Sequence, residues 1–170
     1  MANFDPAVTR TLASEGGFFN NLKTGEVVNR GITLATIRAL GILKSTGPAT
    51  QADIAFIQGL TEDEAKDIYH IEYWTPLHLD QIDDQAVANK VFDLAVNMGV
   101  VSAARFLQAA CGVIEDGIIG PITITRANAM DPVALLGSIR ARAKNRYQDI
   151  AAANPTLAGN LPGWLARLNA

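Results

Sequence analysis

Apolar residues recur along this chain at the 3.6-residue period of a helix far more often than at the two-residue period of a strand. The clearest stretch is residues 84–98, where Val87, Val91, Leu94, Ala95 and Met98 fall at helical spacing. Asp93 and Asn97 stand four apart on a neighbouring line of the same helix, so a polar pair lies inside an otherwise apolar segment. Residues 5–14 open with Asp5-Pro6, an N-cap acid and a proline suited to the first turn, and end at the stop signal Gly16-Gly17. Residues 18–32 mix Asn, Gly and β-branched Val and Ile, which predicts a small β-hairpin or an ordered loop. Thr33 caps a helix over 34–41 and Thr50 another over 51–58. Thr61-Glu62-Asp63-Glu64 is a capping box opening a helix that reaches about Tyr73. Gly99 breaks the 84–98 helix, and the next runs over 101–111. Asp116-Gly117-Ile118-Ile119-Gly120-Pro121 is a tight turn, Asp131-Pro132 opens the longest helix, to about Ala153, and Gly163-Trp164-Leu165 begins a last short element. The expected class is all-α with a small β-hairpin.

Composition narrows the picture. With 170 residues and 49% hydrophobic content, the chain is long enough for one domain with a sizeable core. A net charge of −3, with Lys and Arg scattered along the sequence, supplies no basic field for a phosphate backbone, so nucleic acid is not an expected partner. Apolar runs fall far short of the ~20 residues that span a bilayer, and MANFDPAVTR lacks a basic stretch followed by an apolar one. Neither stable membrane insertion nor an export signal is expected. The single cysteine, Cys111, lies in the apolar run FLQAACGV and reads as core packing rather than a reactive thiol.

No zinc, phosphate or nucleotide signature is present, and His70 and His78 are separated by a Trp-Thr-Pro turn that keeps them off one helix face. No metal or cofactor is expected. Glu15 differs in kind. A carboxylate at a helix C-terminus opposes the macrodipole by a few tenths to ~1 kcal/mol, so it is either a solvated helix-end acid or a group kept for use. Beside Gly16 and Gly17, which let a polymer approach, and Phe18 and Phe19, which exclude water, such a carboxyl suits a general acid.

Glu15-Gly16-Gly17, then Asn20, Gly25 and Gly31-Ile32-Thr33-Leu34-Ala35-Thr36, resembles the opening of the glycoside hydrolase family 108 N-acetylmuramidases of phages and bacteria. Tyr69-His70-Ile71-Glu72-Tyr73-Trp74 resembles that family's Y-x-x-x-Y-W, and the segment from Val91 to Gly99 is similar to the start of its C-terminal peptidoglycan region. The likeness continues through Ala104 to Gln108, the 116–121 turn, Thr123, Arg146-Tyr147, Asn154-Pro155, Gly163-Trp164-Leu165 and Arg167, so it covers nearly the whole chain.

The resemblance implies a lysozyme-like fold in one domain over 1–170, with a catalytic part at 1–85 and a peptidoglycan-binding-like part at 86–170 in the same compact unit. It implies cleavage of the β-1,4 bond between N-acetylmuramic acid and N-acetylglucosamine, with Glu15 as the acid. It also implies a monomer acting on peptidoglycan glycan strands, made in the bacterial cytoplasm and carried to the periplasmic wall by a holin or a secretion machine. The family's loop usually follows a D-x-G-G-x-T pattern, whereas residues 20–30 contain no Asp and Val28 falls near the Thr position. Three readings therefore stand side by side. Glu26, the only loop carboxylate, supplies the second catalytic function; or Asn20, Asn21 or Thr24 holds the attacking water; or the chain is a noncatalytic or weakened glycan binder in a virion or secretion system. Tyr69, Tyr73 and Trp74 either stack on sugar rings or fill the core. Asp93 and Asn97 either line a cleft or satisfy buried backbone.

Overall fold

The computed structural model describes residues 1–14, 16–21 and 26–169. They form an α-helical protein with one small antiparallel sheet, and the chain divides into two compact units, Val8–His70 and Met1–Ala7 with Ile71–Ala170.

The Val8–His70 unit takes in most of helix α1 (Phe4–Ser14), then strands β1 (Phe19–Asn21), β2 (Glu26–Asn29) and β3 (Ile32–Thr33) in the order β1-β2-β3. A single hairpin was the simplest expectation; the third strand arises because Arg30 and Gly31 both adopt positive φ, 51° and 76°. Two consecutive left-handed residues make the two-residue turn whose twist matches antiparallel strands, and Asn29 pairs with Ile32 across it. Helices α2 (Leu34–Ala39), α3 (Gln51–Gln58) and α4 (Glu62–Tyr69) follow, each started by the threonine the sequence points to. Thr33 accepts from the Thr36 amide, and Thr50 and Thr61 form reciprocal boxes with Asp53 and Glu64. Val27, Ile32, Ile37, Ile57 and Ile68 are buried here, and the Asn29 amide caps the end of α3 by donating to the Ile57 and Gln58 carbonyls at 3.0 and 3.2 Å.

Helix α4 stops at Tyr69, short of the expected Tyr73, and residues His70–Trp74 continue as a π-helical turn. Pro76, which has no N–H to extend an α-ladder, follows directly in a 3-10 turn over Thr75–Leu77.

In the second unit, α5 (Gln85–Met98) packs on α6 (Val100–Cys111), and α8 (Pro132–Ala153) packs on both α6 and α9 (Leu161–Asn169). Gly99, at φ 85°, separates α5 from α6 as its position predicts. Helix α7 (Pro121–Asn128) was not foreseen in the sequence. Ile122-Thr123-Ile124-Thr125 is a β-branched run of weak helix propensity, and the start comes instead from Gly120 at the cap and Pro121 in the first turn. The N-terminal residues are tied in by exchange between Asn3 and Gln85, with bonds of 2.7 and 2.8 Å. The Phe4, Trp74 and Phe92 rings meet edge to face with centroids 5.5–5.9 Å apart. Cys111 is buried, and burial pushes its thiol above the ordinary range. Among the described residues no helix is long and apolar enough to cross a membrane, and no group of His, Cys, Asp and Glu could hold a metal ion.

Candidate active site

Glu15 lies outside the described residues, as does Thr24 with the whole of residues 22–25; Ser14 and Gly16, on either side of Glu15, are described. Helix α1 ends at Ser14, and Gly16 and Gly17 follow in irregular, exposed backbone. A Cβ placed on either glycine meets no described residue within 4 Å, so packing against the described residues does not account for the missing side chains.

Strand alternation sorts the next residues. Asn20 pairs with Val27 and Asn21 with Glu26, and directly opposed residues project from the same sheet face. Val27 is buried, so Asn20 belongs to the inward face. The opposite face carries Phe19, Asn21, Glu26 and Val28, with Glu26 exposed and Phe19 53% exposed. The structure thus brings Asn21 and Glu26 together and puts Asn20 on the other side. Phe18 is exposed too, so an aromatic and polar surface lies immediately after the Glu15-Gly16-Gly17 segment in sequence.

Tyr69 is 2% exposed, and its hydroxyl donates to the Arg30 carbonyl at 3.1 Å. The Arg30 side chain adds a bond from Nε to the Leu60 carbonyl at 3.3 Å and an ion pair with Glu62 at 3.9 Å. Tyr69 and Arg30 together hold the β2–β3 turn. Asp53, also buried, accepts from the Ser45 hydroxyl at 2.5 Å, from the Thr50 amide and hydroxyl at 2.9 and 2.8 Å, and from Arg38 at 3.1 Å. Those bonds, Ser45 foremost, hold its carboxyl far below the usual carboxylate range and tie residues 45–50 to α3.

In the second unit, Trp74 is 2% exposed within the Phe4 and Phe92 cluster, and Tyr73 is half-buried with its edge on Phe92 at 6.4 Å. Asp93 accepts from Arg167 Nε at 2.9 Å and lies 3.5 Å from Lys90 Nζ. Asn97 is exposed and donates to the Asp93 carbonyl at 2.7 Å. Asp93 and Asn97 are therefore brought together, joined by a cation the sequence did not point to. Arg167 is 74 positions away from Asp93, and no local pattern marks such a pair. Gln108 was also not singled out for what it does: its amide donates to Asp116 Oδ1 and the Ile118 carbonyl at 2.7 and 2.9 Å and accepts from the Gly117 amide at 2.9 Å. The Ile118 amide and then Gln108 hold the Asp116 carboxyl below its ordinary value.

A helical chain with one small antiparallel sheet is the outline of a lysozyme-like fold. Residues 8–99 match the Glycosyl hydrolase 108 family and residues 102–169 the Predicted Peptidoglycan domain. The first match spans more than half of the chain, which therefore belongs to the glycosyl hydrolase 108 family. The structure resembles that of SagA from Brucella abortus, with a TM-score of 0.78 and 27% identity, over 98% of this chain and 89% of that one. In sequence, no curated protein matches it. Membership of this family, together with the peptidoglycan domain, makes the chain a peptidoglycan hydrolase acting on the cell wall.

Proposed function

We propose that the chain is a lysozyme-type N-acetylmuramidase that cleaves the β-1,4 bond between N-acetylmuramic acid and N-acetylglucosamine, with Glu15 as the general acid. Glu15 protonates the glycosidic oxygen as the bond to C1 of muramic acid breaks; water supplies the hydroxyl at C1, and its proton restores the acid. The observation that carries this reading is the open space at Gly16 and Gly17, which leaves room for a sugar ring beside the acid. The pairing of half-buried Asn21 with exposed Glu26 on one sheet face supports Glu26 as the second carboxylate, and Asn21 as a holder of the attacking water in the alternative. Residues 1–85 act as the catalytic part and 86–170 as the wall-binding part of a monomer that reaches the periplasmic wall through a holin or secretion machine. A noncatalytic glycan binder is the second reading, favoured by the absence of any Asp from residues 20–30.

The test is digestion of purified peptidoglycan followed by mass spectrometry of the soluble fragments. Muramic acid at the new reducing ends is the expected product; glucosamine ends would overturn the bond assignment. Wild-type protein that pulls down sacculi but releases nothing would establish the binder instead. Glu26→Gln loses activity if Glu26 is the second carboxylate and keeps it if an amide or hydroxyl holds the water.

A further inference from the structure

Helix α8 concentrates charge that the chain-wide total hides: Arg140, Arg142, Lys144 and Arg146 against a single carboxylate, Asp149. Arg146 forms part of the wall of a groove of about 210 Å³ shared by α5, α6, α8 and α9. Its lining includes the half-buried Trp164, whose ring stacks on Tyr147 with centroids 5.3 Å apart and planes at 24°. Met98 adds apolar surface, and Ser102 and Asn97 add polar groups. The nearby carboxylate, Asp93, already faces two cations, Arg167 at 2.9 Å and Lys90 at 3.5 Å, so it does not neutralise the groove. Arg146 is exposed and forms no ion pair with another described residue, Asp149 included.

An aromatic and thioether surface beside an unmatched guanidinium fits a ligand with small apolar groups and a carboxylate, because planar guanidinium binds carboxylate through paired N–H bonds. The volume is below the ~300–1,000 Å³ of pockets that enclose a whole small ligand, so the groove takes a short segment of a longer polymer. Among the parts of peptidoglycan, the glycan is neutral where its lactyl groups are amide-linked, whereas the stem peptide offers both methyl groups and free carboxylates. We infer that this groove is a stem-peptide subsite, in which Arg146 pairs with a peptide carboxylate and Trp164 with Met98 receives an alanine methyl. The inference rests on the peptidoglycan reading and adds to it a reason for the enzyme to prefer strands that still carry peptides.

The experiment titrates the full chain by calorimetry with three probes: the tetrapeptide L-alanyl-γ-D-glutamyl-diaminopimelyl-D-alanine, the same peptide with its carboxylates amidated, and a chitin tetramer. The free tetrapeptide is expected to bind wild type and to bind Arg146→Glu at least about tenfold more weakly, the factor expected from losing one charge-assisted contact of about 1.4 kcal/mol. Amidation should weaken binding to wild type by a similar factor, and the chitin tetramer should bind both proteins alike. Arg146→Gln, which keeps the length of the side chain without its charge, should fall between the two. Equal tetrapeptide affinity in wild type and Arg146→Glu, equal affinity for the amidated peptide, or no tetrapeptide binding at all would overturn the assignment. Release of reducing ends from intact purified peptidoglycan by wild type, measured alongside, reads the hydrolase itself. That signal fails only if the enzyme reading fails, and peptide binding needs no turnover.

Discussion

Tyr69→Phe separates a core role from a sugar-stacking role at a residue for which the sequence left both open. The phenol is 2% exposed, and its hydroxyl donates to the Arg30 carbonyl at 3.1 Å. Arg30 sits at φ 51°, a left-handed conformation that costs a non-glycine residue roughly 1–2 kcal/mol and so depends on its neighbours. Removing the hydroxyl forfeits a hydrogen bond worth about 1 kcal/mol and leaves the carbonyl short of a donor. Because the bond is only partly buried, water recovers some of the loss, and the net cost comes to about 1–1.5 kcal/mol. At ~2–4 °C per kcal/mol for a chain of this size, Tm should fall by about 2–6 °C in a calorimetric or circular-dichroism melt. The KM for peptidoglycan should stay at its wild-type value, since the hydroxyl is engaged inside the protein. A Tm within about 1 °C of wild type, with a raised KM, would refute the reasoning and give the hydroxyl to the glycan.

Other outcomes follow from the same physics. Asp93→Asn removes the carboxylate that lies 3.5 Å from Lys90, 6% exposed, and 2.9 Å from Arg167; with Asp93 itself 21% exposed, the loss should be about 2–3 kcal/mol, below the ~3–5 kcal/mol for breaking a fully enclosed pair, and denaturant unfolding reads it. Gly117→Ala combines a φ of 83° with a Cβ only 2.9 Å from Val101 Cγ1, and should cost about 1–2 kcal/mol in the same assay; an unchanged midpoint would remove the turn from the architecture. Asp53 has a carboxyl lower in the folded than in the unfolded chain, where it titrates near 3.8, so its contribution is complete above that value and drains away as pH falls below it. Melts between pH 5 and about pH 2.5 should therefore show a loss of stability that Asp53→Asn makes shallower, and an identical slope in the variant would disprove the network's role.

What the sequence made legible was local. Thr33, Thr50, Thr61 and Asp131 start helices where their spacing to the next donors says they should, because a cap is a contact within three or four residues. The limits have the same origin. Residues 122–125 carry weak helix propensity and are helical because their flanks and packing override it, and Arg30 takes a turn conformation usually left to Gly or Asn because Tyr69 secures it. Pairings such as Arg167 with Asp93, 74 positions apart, leave no trace in any window of the sequence. At the candidate site, the exposed, irregular backbone at Gly16 and Gly17 was legible from the glycines themselves, whereas the sharing of one sheet face by Asn21 and Glu26 depends on register, which the sequence alone does not specify.

The central claim is that Glu15 donates the proton that breaks the glycan. Its most direct measurement is the initial rate of reducing-end release from purified peptidoglycan by wild type and by Glu15→Gln, with sacculus binding measured on the same preparations. A general acid contributes about 10²–10⁴-fold, so the variant should lose at least a hundredfold in rate while binding sacculi as wild type does. A variant that still releases reducing ends within a few-fold of the wild-type rate would contradict the account.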